Sequence, residues 1–238
     1  MRMPWKTDRG EIVALDYTPT TGFGAPTAIL QPAYHCSYPF LWEDGERRWC
    51  IPETGEAGET RYVPIQADGT LAPSGDGGTL LPEALIDPTI VRHDDRYWLF
   101  ASDADNPNVL LNIFHAERVE GPWTAHTLNP VKTDIRGARP AGRPFLVDGA
   151  LIRPAQDCSR YYGGAIRLNR IVALTPTDFR EETWQVLAPQ PGRYAQGLHT
   201  ISWTGRWTVI DGARTIFSPA EFTRVLKGKL GLAGSGQR

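Results

Sequence analysis

Four segments of this 238-residue chain repeat one pattern: a polar residue opens a short apolar run, a turn follows, and a second run returns to end on a carboxylate. They extend from Tyr38-Pro-Phe-Leu-Trp to Glu53, from Asp87-Pro-Thr-Ile-Val to Asp103, from Arg143-Pro-Phe-Leu-Val to Asp157, and from His199-Thr-Ile-Ser-Trp to Asp211. Their openings lie 49–56 residues apart. That is the period of four-stranded propeller blades, which bury their faces against neighbouring blades rather than alone.

Residues 11–30 read as two further strands, the outer pair of a blade whose inner strands are missing. The expected fold is all-β: a five-bladed β-propeller of four full blades plus a partial first blade. It forms one domain over residues 1–238, with the partial blade at 11–30 and repeats at 34–86, 87–138, 139–198 and 199–217. Ser218-Pro-Ala-Glu221 combines an N-cap serine, a proline at the first helical position and a capping-box glutamate, which predicts a short helix over 218–227. An unclosed ring would expose two sheet edges, so self-association or a partner chain over the open blade is expected.

Blade geometry turns the repeat into a functional argument. The inner strand of each blade lines the channel and the next strand runs back antiparallel, so both polar positions of every copy arrive at one mouth. That gathers Tyr38 with Glu53, Asp87 with Asp103, Arg139 and Arg143 with Asp157, and His199 with Asp211. The loop from Lys132 to Arg143 adds Asp134 and Arg136. Arginine suits bidentate recognition of carboxylate, phosphate or vicinal hydroxyls, which makes this loop the expected substrate clamp. For any one strand-end aspartate the competing reading is a turn cap or an interblade ion pair.

Composition narrows the function classes. A net charge of −2, with no basic stripe, argues against nucleic acid or an anionic membrane as the main partner. Glycine (24), proline (20) and eight each of Trp, Tyr and Phe suit a turn-rich sheet protein. The N-terminus lacks a secretory core and no run approaches a membrane span, which sets a cytoplasmic expectation. Three cysteines, Cys36, Cys50 and Cys158, have no metal-like spacing and read as reduced thiols. No cofactor and no metal is expected.

Ser37-Tyr-Pro-Phe-Leu, Ile51-Pro-Glu-Thr54, Asn129-Pro-Val-Lys-Thr-Asp-Ile-Arg-Gly-Ala-Arg-Pro-Ala-Gly-Arg143, Arg153-Pro-Ala-Gln-Asp-Cys-Ser159 and the later His199-Thr carry a resemblance. From Glu11 to Arg214 the chain resembles the N-terminal propeller domain of plant glucosamine inositolphosphorylceramide transferases and their stand-alone bacterial relatives. That domain in turn is similar to the five-bladed propellers of arabinanases, β-xylosidases and invertases. In those glycosidases an Asp opening the first blade is the base, an Asp-Pro opening the third tunes pKa, and a Glu is the acid. The resemblance carries the Asp-Pro onto Asp87-Pro88; the fourth blade opens here with Arg-Pro-Ala-Gly-Arg instead of a glutamate, and the chain begins after the strand that holds the expected base.

The resulting expectation is a carbohydrate-active protein acting on a glycoside or sugar conjugate. Its catalytic candidates are Glu53 as acid, Asp87 as orienter, Asp157 or Asp103 as base, and His199. Tyr38, Asp103, Asp134, Arg136, Arg139, Arg143 and Asp211 are expected to bind substrate. A non-catalytic module for glycans or sugar nucleotides is the alternative, and a small-molecule tailoring reaction using His199 or Cys158 is a third.

Overall fold

The computed structural model describes residues 9–72, 77–205 and 207–215. The helix expected at 218–227 lies outside them. Near the N-terminus, β1 (Ile12–Ala14) pairs with β4 (Thr27–Leu30) around a small hairpin of β2 (Tyr17–Thr18) and β3 (Gly22–Phe23). Three complete blades follow in chain order. They are β5 (Ser37–Asp44), β6 (Arg47–Glu53), β7 (Thr60–Pro64) and β8 (Gly78–Leu81); then β9 (Leu85–His93), β10 (Arg96–Asp103), β11 (Leu110–Ala116) and β12 (Thr124–Ala125), with β13 (Lys132–Thr133) also on β11; then β14 (Phe145–Val147), β15 (Ala150–Asp157), β16 (Ala165–Leu174) and β17 (Phe179–Leu187). The last repeat contributes one pair among the described residues, β18 (Ile201–Thr204) with β19 (Trp207–Ile210). Each complete blade is an antiparallel meander, and the fold is a five-bladed propeller whose first and last blades show strand pairs among the described residues. Tyr17 on β2 packs edge-on against Trp207 on β19, centroids 5.3 Å apart, which joins the first of the described strand pairs to the last.

The core explains why blades, once formed, stack. Side chains on a strand alternate between its faces, and β10 buries both. Tyr97, Leu99 and Ala101 join Phe40, Trp42, Trp49 and Ile51 of the preceding blade, while Trp98 and Phe100 join Leu111, Ile113 and Ala138 together with Ile171 and Phe179 of the following one. A third cluster, Ala141, Ile152, Ile166 and Leu198, joins the third complete blade to the last pair. Leu99 and Phe100 are wholly buried, and each such side chain contributes about 2–3 kcal/mol. Among the described residues no helix is long and apolar enough to cross a membrane.

Two equivalent irregularities aim side chains inward. The β5–β6 ladder slips between Ser37 and Phe40, and the β9–β10 ladder slips opposite Thr89 and Ile86. At these bulges Tyr38 (φ 44°) and Asp87 (φ 52°) adopt the left-handed conformation, each directly before a proline. Non-glycine residues held there cost about 1–3 kcal/mol, and such strain concentrates where a side chain must be re-aimed.

Close approach of blades is visible at Gly142, whose φ is 137° and whose missing Cβ would lie 1.8 Å from the Ile201 carbonyl oxygen. Gly142→Ala should therefore lower stability in urea denaturation by about 3 kcal/mol or more, whereas Gly149→Ala (φ 79°, nothing within 4 Å) should lose only about 1–2 kcal/mol. Equal losses would mean that the interblade contact is looser than described.

Candidate functional site

The mouth is built from the floor upward. Asp87, 2% exposed, lies at its base on the β9 bulge. Its Oδ2 accepts from Arg139 Nε at 2.7 Å and from Gln156 Nε2 at 3.1 Å. Gln156 also donates to the Pro140 carbonyl at 3.0 Å, so the amide stitches the carboxylate to the next blade. Tyr38, from the equivalent bulge, meets the Thr89 hydroxyl at 2.9 Å. Burial, and then the charge of Asp87, raises the Tyr38 phenol and keeps it protonated.

Glu53 ends β6 above this floor and shares a hydrogen bond with Asp87. Burial first, and then the Asp87 charge, push its carboxyl up to about 7 against the opposing effects of Arg139 and a Ser37 hydrogen bond. Burial and the neighbouring negative charge thus favour the protonated form of Glu53. Arg139 Nη2 lies 4.0 Å from Glu53 Oε2, and Nη1 donates to Asn108 Oδ1 at 3.2 Å. Burial works against the Arg139 charge, but Asp87, Tyr162 and Glu53 together raise its pKa, so it stays a cation.

The Arg139 guanidinium stacks on Tyr162, 4.7 Å from the ring centroid, and that ring meets His199 edge-on at 5.3 Å. His199 Nδ1 pairs with Asp211 Oδ2, and Asp211 Oδ1 accepts the backbone N–H groups of His199 (2.9 Å) and Thr200 (2.8 Å). Burial opposes the Asp211 charge, yet the hydrogen bonds from His199 and Thr200 hold its carboxyl below the usual range. A carboxylate on Nδ1–H fixes the tautomer that presents Nε2 as an acceptor. Exposure grows from Asp87 through Glu53 and Arg139 to the half-exposed His199–Tyr162 rim, so the site is a cup that opens outward.

The loop that carries Arg139 is held from beneath. Arg153, 1% exposed, donates Nε and Nη2 to Glu181 at 2.8 and 2.6 Å and Nη2 to the Gly137 carbonyl at 2.6 Å. Lys132 Nζ completes the cluster on Glu181 at 2.7 Å. Burial raises the Glu181 carboxyl, but Arg153 and Lys132 outweigh it and hold Glu181 below its ordinary value. Gln156 N–H donates to the Arg139 carbonyl and Cys158 N–H to the Ile135 carbonyl, which seats the rest of the loop on β15.

The structure thus unites Tyr38, Glu53, Asp87, Arg139, His199 and Asp211. Asp157 instead pairs with Arg167 at 2.9 Å and accepts from Ser159 N–H and Oγ. Asp103 accepts the backbone N–H groups of Asp105 and Asn106, and Asp134 those of Arg136. These three carboxylates fasten their own loops because their short side chains reach a backbone donor two or three residues on. Arg136 is exposed and lies 3.4 Å from Asp134. Arg143 stacks on Phe40 and Trp42 and donates to the Leu41 carbonyl; its neighbouring carboxylate is Glu43. Burial raises the Cys158 thiol, and its Sγ lies 3.9 Å from Gln156 Oε1. No group of three or more His, Cys, Asp or Glu side chains among the described residues could hold a metal ion.

Because Glu53 holds its proton from about pH 4.5 to about 7 only in the folded state, wild-type stability should fall as pH rises through that window. Between pH 4 and pH 8 the stability of Glu53→Gln relative to wild type should move in the variant's favour by on the order of 2–3 kcal/mol. Thermal denaturation across pH reads this out; a constant difference would place no shared proton on Glu53.

Residues 7–206 match the family model described as glucosamine inositolphosphorylceramide transferase 1, N-terminal. Proteins named glucosamine inositolphosphorylceramide transferase 1 are similar in sequence. The one from Oryza sativa subsp. japonica is 34% identical over 161 residues, 64% of this chain and 21% of that protein; the one from Arabidopsis thaliana is 35% identical over 161 residues, covering 64% and 20%. The chain spans about a fifth of the length of these relatives. Two solved structures share the fold at 15% identity. One is a family 117 glycoside hydrolase from the marine bacterium Zobellia galactanivorans, with a TM-score of 0.53 over 76% of this chain and 56% of that one. The other is a thermostable family-43 glycoside hydrolase, with a TM-score of 0.50 over 71% and 65%.

Proposed function

The chain belongs to the glucosamine inositolphosphorylceramide transferase N-terminal family, and on that premise we propose that it is a carbohydrate-active propeller acting on a glycoside or sugar conjugate. The observation that carries this reading is the buried Glu53 carboxyl set beside Asp87, its protonated form favoured by burial and by that charge, in a cup walled by Arg139, Tyr38 and Tyr162. A carboxyl raised to about 7 can deliver a proton at neutral pH. Its task is to protonate the departing glycosidic oxygen as the bond to the anomeric carbon breaks. Asp87, locked by Arg139 and Gln156, adds its charge to the burial that raises the Glu53 carboxyl.

The attacking water or sugar hydroxyl needs a base, and the geometry favours His199 over Asp157, both of whose oxygens are engaged, and over Asp103, whose Oδ1 holds its own loop. With Asp211 on Nδ1, His199 Nε2 accepts the proton of the attacking hydroxyl, and Asp211 stabilises the imidazolium that results. The Tyr162 ring stands between the two groups, touching Arg139 on one side and His199 on the other, and supplies an apolar face of the kind that sugar rings stack against.

A second reading, a module that binds saccharide without cleaving it, is favoured by one observation. The two strand-end carboxylates expected as bases are engaged in their own loops, Asp157 with Arg167 and Ser159 and Asp103 with the backbone N–H groups of Asp105 and Asn106.

A panel of glycosides and sugar nucleotides followed by mass spectrometry separates the two. Turnover by wild type is expected to fall at least about a hundredfold in Glu53→Gln and in His199→Asn, and to decline above pH 7 as Glu53 loses its proton. Absence of turnover across the panel, with a ligand still raising the melting temperature, would overturn catalysis and leave the binding module.

A further inference from the structure

We propose that the rim of the mouth beside His199 holds an anion-recognition pocket, formed by Arg193 and Arg214 around Tyr194, that reads a negatively charged substituent of the saccharide. The inference rests on the reading of the mouth as a carbohydrate site and names the class of ligand it takes.

The pocket is a built feature. Gln196 N–H donates to the Ala213 carbonyl and Ala213 N–H to the Gly197 carbonyl, both at 3.0 Å, so the segment before His199 is fastened to the segment after Asp211. A Cβ on Gly212 would lie 2.8 Å from that of Tyr194, so the tyrosine is seated directly against the backbone that follows Asp211. Arg193 and Arg214 flank this pairing, with guanidinium carbons 5.4 and 5.9 Å from the centroid of the one Tyr194 ring.

Charge bookkeeping singles these two out. Every other arginine stacked on an aromatic ring also has an acceptor. Arg47 pairs with Glu120, Arg92 with Asp95, Arg139 with Asp87 and Arg153 with Glu181, while Arg143 donates to the Leu41 carbonyl. Among the described residues, Arg193 and Arg214 stack on Tyr194 and pair with no carboxylate. A guanidinium on a ring keeps its N–H donors directed around its edge, free for a planar or tetrahedral anion. Two cations on one exposed ring also repel each other, a cost that a bound anion removes.

The shared chemistry is an anionic substituent on a sugar, available either as a phosphate ester or as a uronate carboxylate. Position argues for a saccharide rather than a free ion. A Cβ on Gly163, next to Tyr162, would lie 3.0 Å from that of His199, and the Gly163 carbonyl accepts Leu198 N–H, so Tyr162, His199 and the Tyr194 segment form one continuous wall. A sugar seated beside Glu53, Tyr162 and His199 would therefore extend along the wall that carries Arg193 and Arg214.

Isothermal titration of the full chain with glucose, glucose 1-phosphate and glucuronic acid tests this at low and physiological salt. At least one of the two anionic sugars should bind tenfold or more tightly than glucose, with an advantage that shrinks as salt rises. The Arg193→Gln, Arg214→Gln double variant should erase that advantage while glucose binding and the circular dichroism spectrum stay unchanged, and Glu53→Gln should preserve it. Preference for glucose 1-phosphate marks a phosphate ester as the substituent, and preference for glucuronic acid marks a uronate. Equal binding of all three sugars, an advantage that survives in the double variant, or no binding by either anionic sugar overturns the pocket. Glucose binding lost in Glu53→Gln while no anionic preference exists would sink the pocket and leave the carbohydrate reading standing.

Discussion

Everything at the mouth depends on one buried pairing, Arg139 with Asp87. Asp87 is held on a strained bulge of one blade and Arg139 arrives on the loop that opens the next, so their 2.7 Å contact joins two blades at the channel. Two charges taken out of water are costly unless paired and fully hydrogen-bonded, and removing one partner typically costs 3–5 kcal/mol. Here the remaining valences are used: Gln156 covers the carboxylate, while Asn108 and the Tyr162 face cover the guanidinium. Glu53, buried beside this carboxylate, is favoured in its protonated form, first by burial and then by the Asp87 charge.

The supporting architecture follows from that demand. A loop that must deliver Arg139 accurately is seated on a second buried ion cluster, Arg153 with Glu181 and Lys132, which also satisfies the Gly137 carbonyl. Blade stacking supplies the rigid frame, since β10 buries opposite faces against two different blades. The rim is a different environment, half-exposed and rich in stacked rings, where His199 is set by Asp211 and the exposed Arg193 and Arg214 stack on Tyr194. A dry floor that tunes protons and a wet rim that reads substituents are complementary parts of one cup.

The repeat was legible because it is written in the alternation of strands, which survives without any knowledge of contacts. It gave the all-β class and brought Tyr38, Glu53, Asp87, Arg139, His199 and Asp211 to one end of the channel. It failed where charge was taken as a guide within a strand. In Arg153-Pro-Ala-Gln-Asp157 the eye goes to Asp157, yet adjacent residues point to opposite faces, and neutral Gln156 is the one that reaches Asp87. Asp103, Asp134 and Asp157 went to turns, an outcome set by local backbone geometry that no spacing rule reveals. Tyr162 and the Arg193–Tyr194–Arg214 group sit in loops whose side-chain directions depend on tertiary pairing, such as that of Gly197 with Ala213. The last repeat shows its inner pair, β18 with β19, among the described residues.

The account stands or falls on the proton between Glu53 and Asp87, which carbon NMR of side-chain-labelled glutamate can follow directly. The prediction is a Glu53 carboxyl that titrates near 7 in the wild type and moves toward the ordinary glutamate range in Asp87→Asn, where the neighbouring negative charge is gone. A Glu53 that titrates near 4.5 in both proteins would contradict it, and with it the view of this mouth as an acid poised for neutral pH.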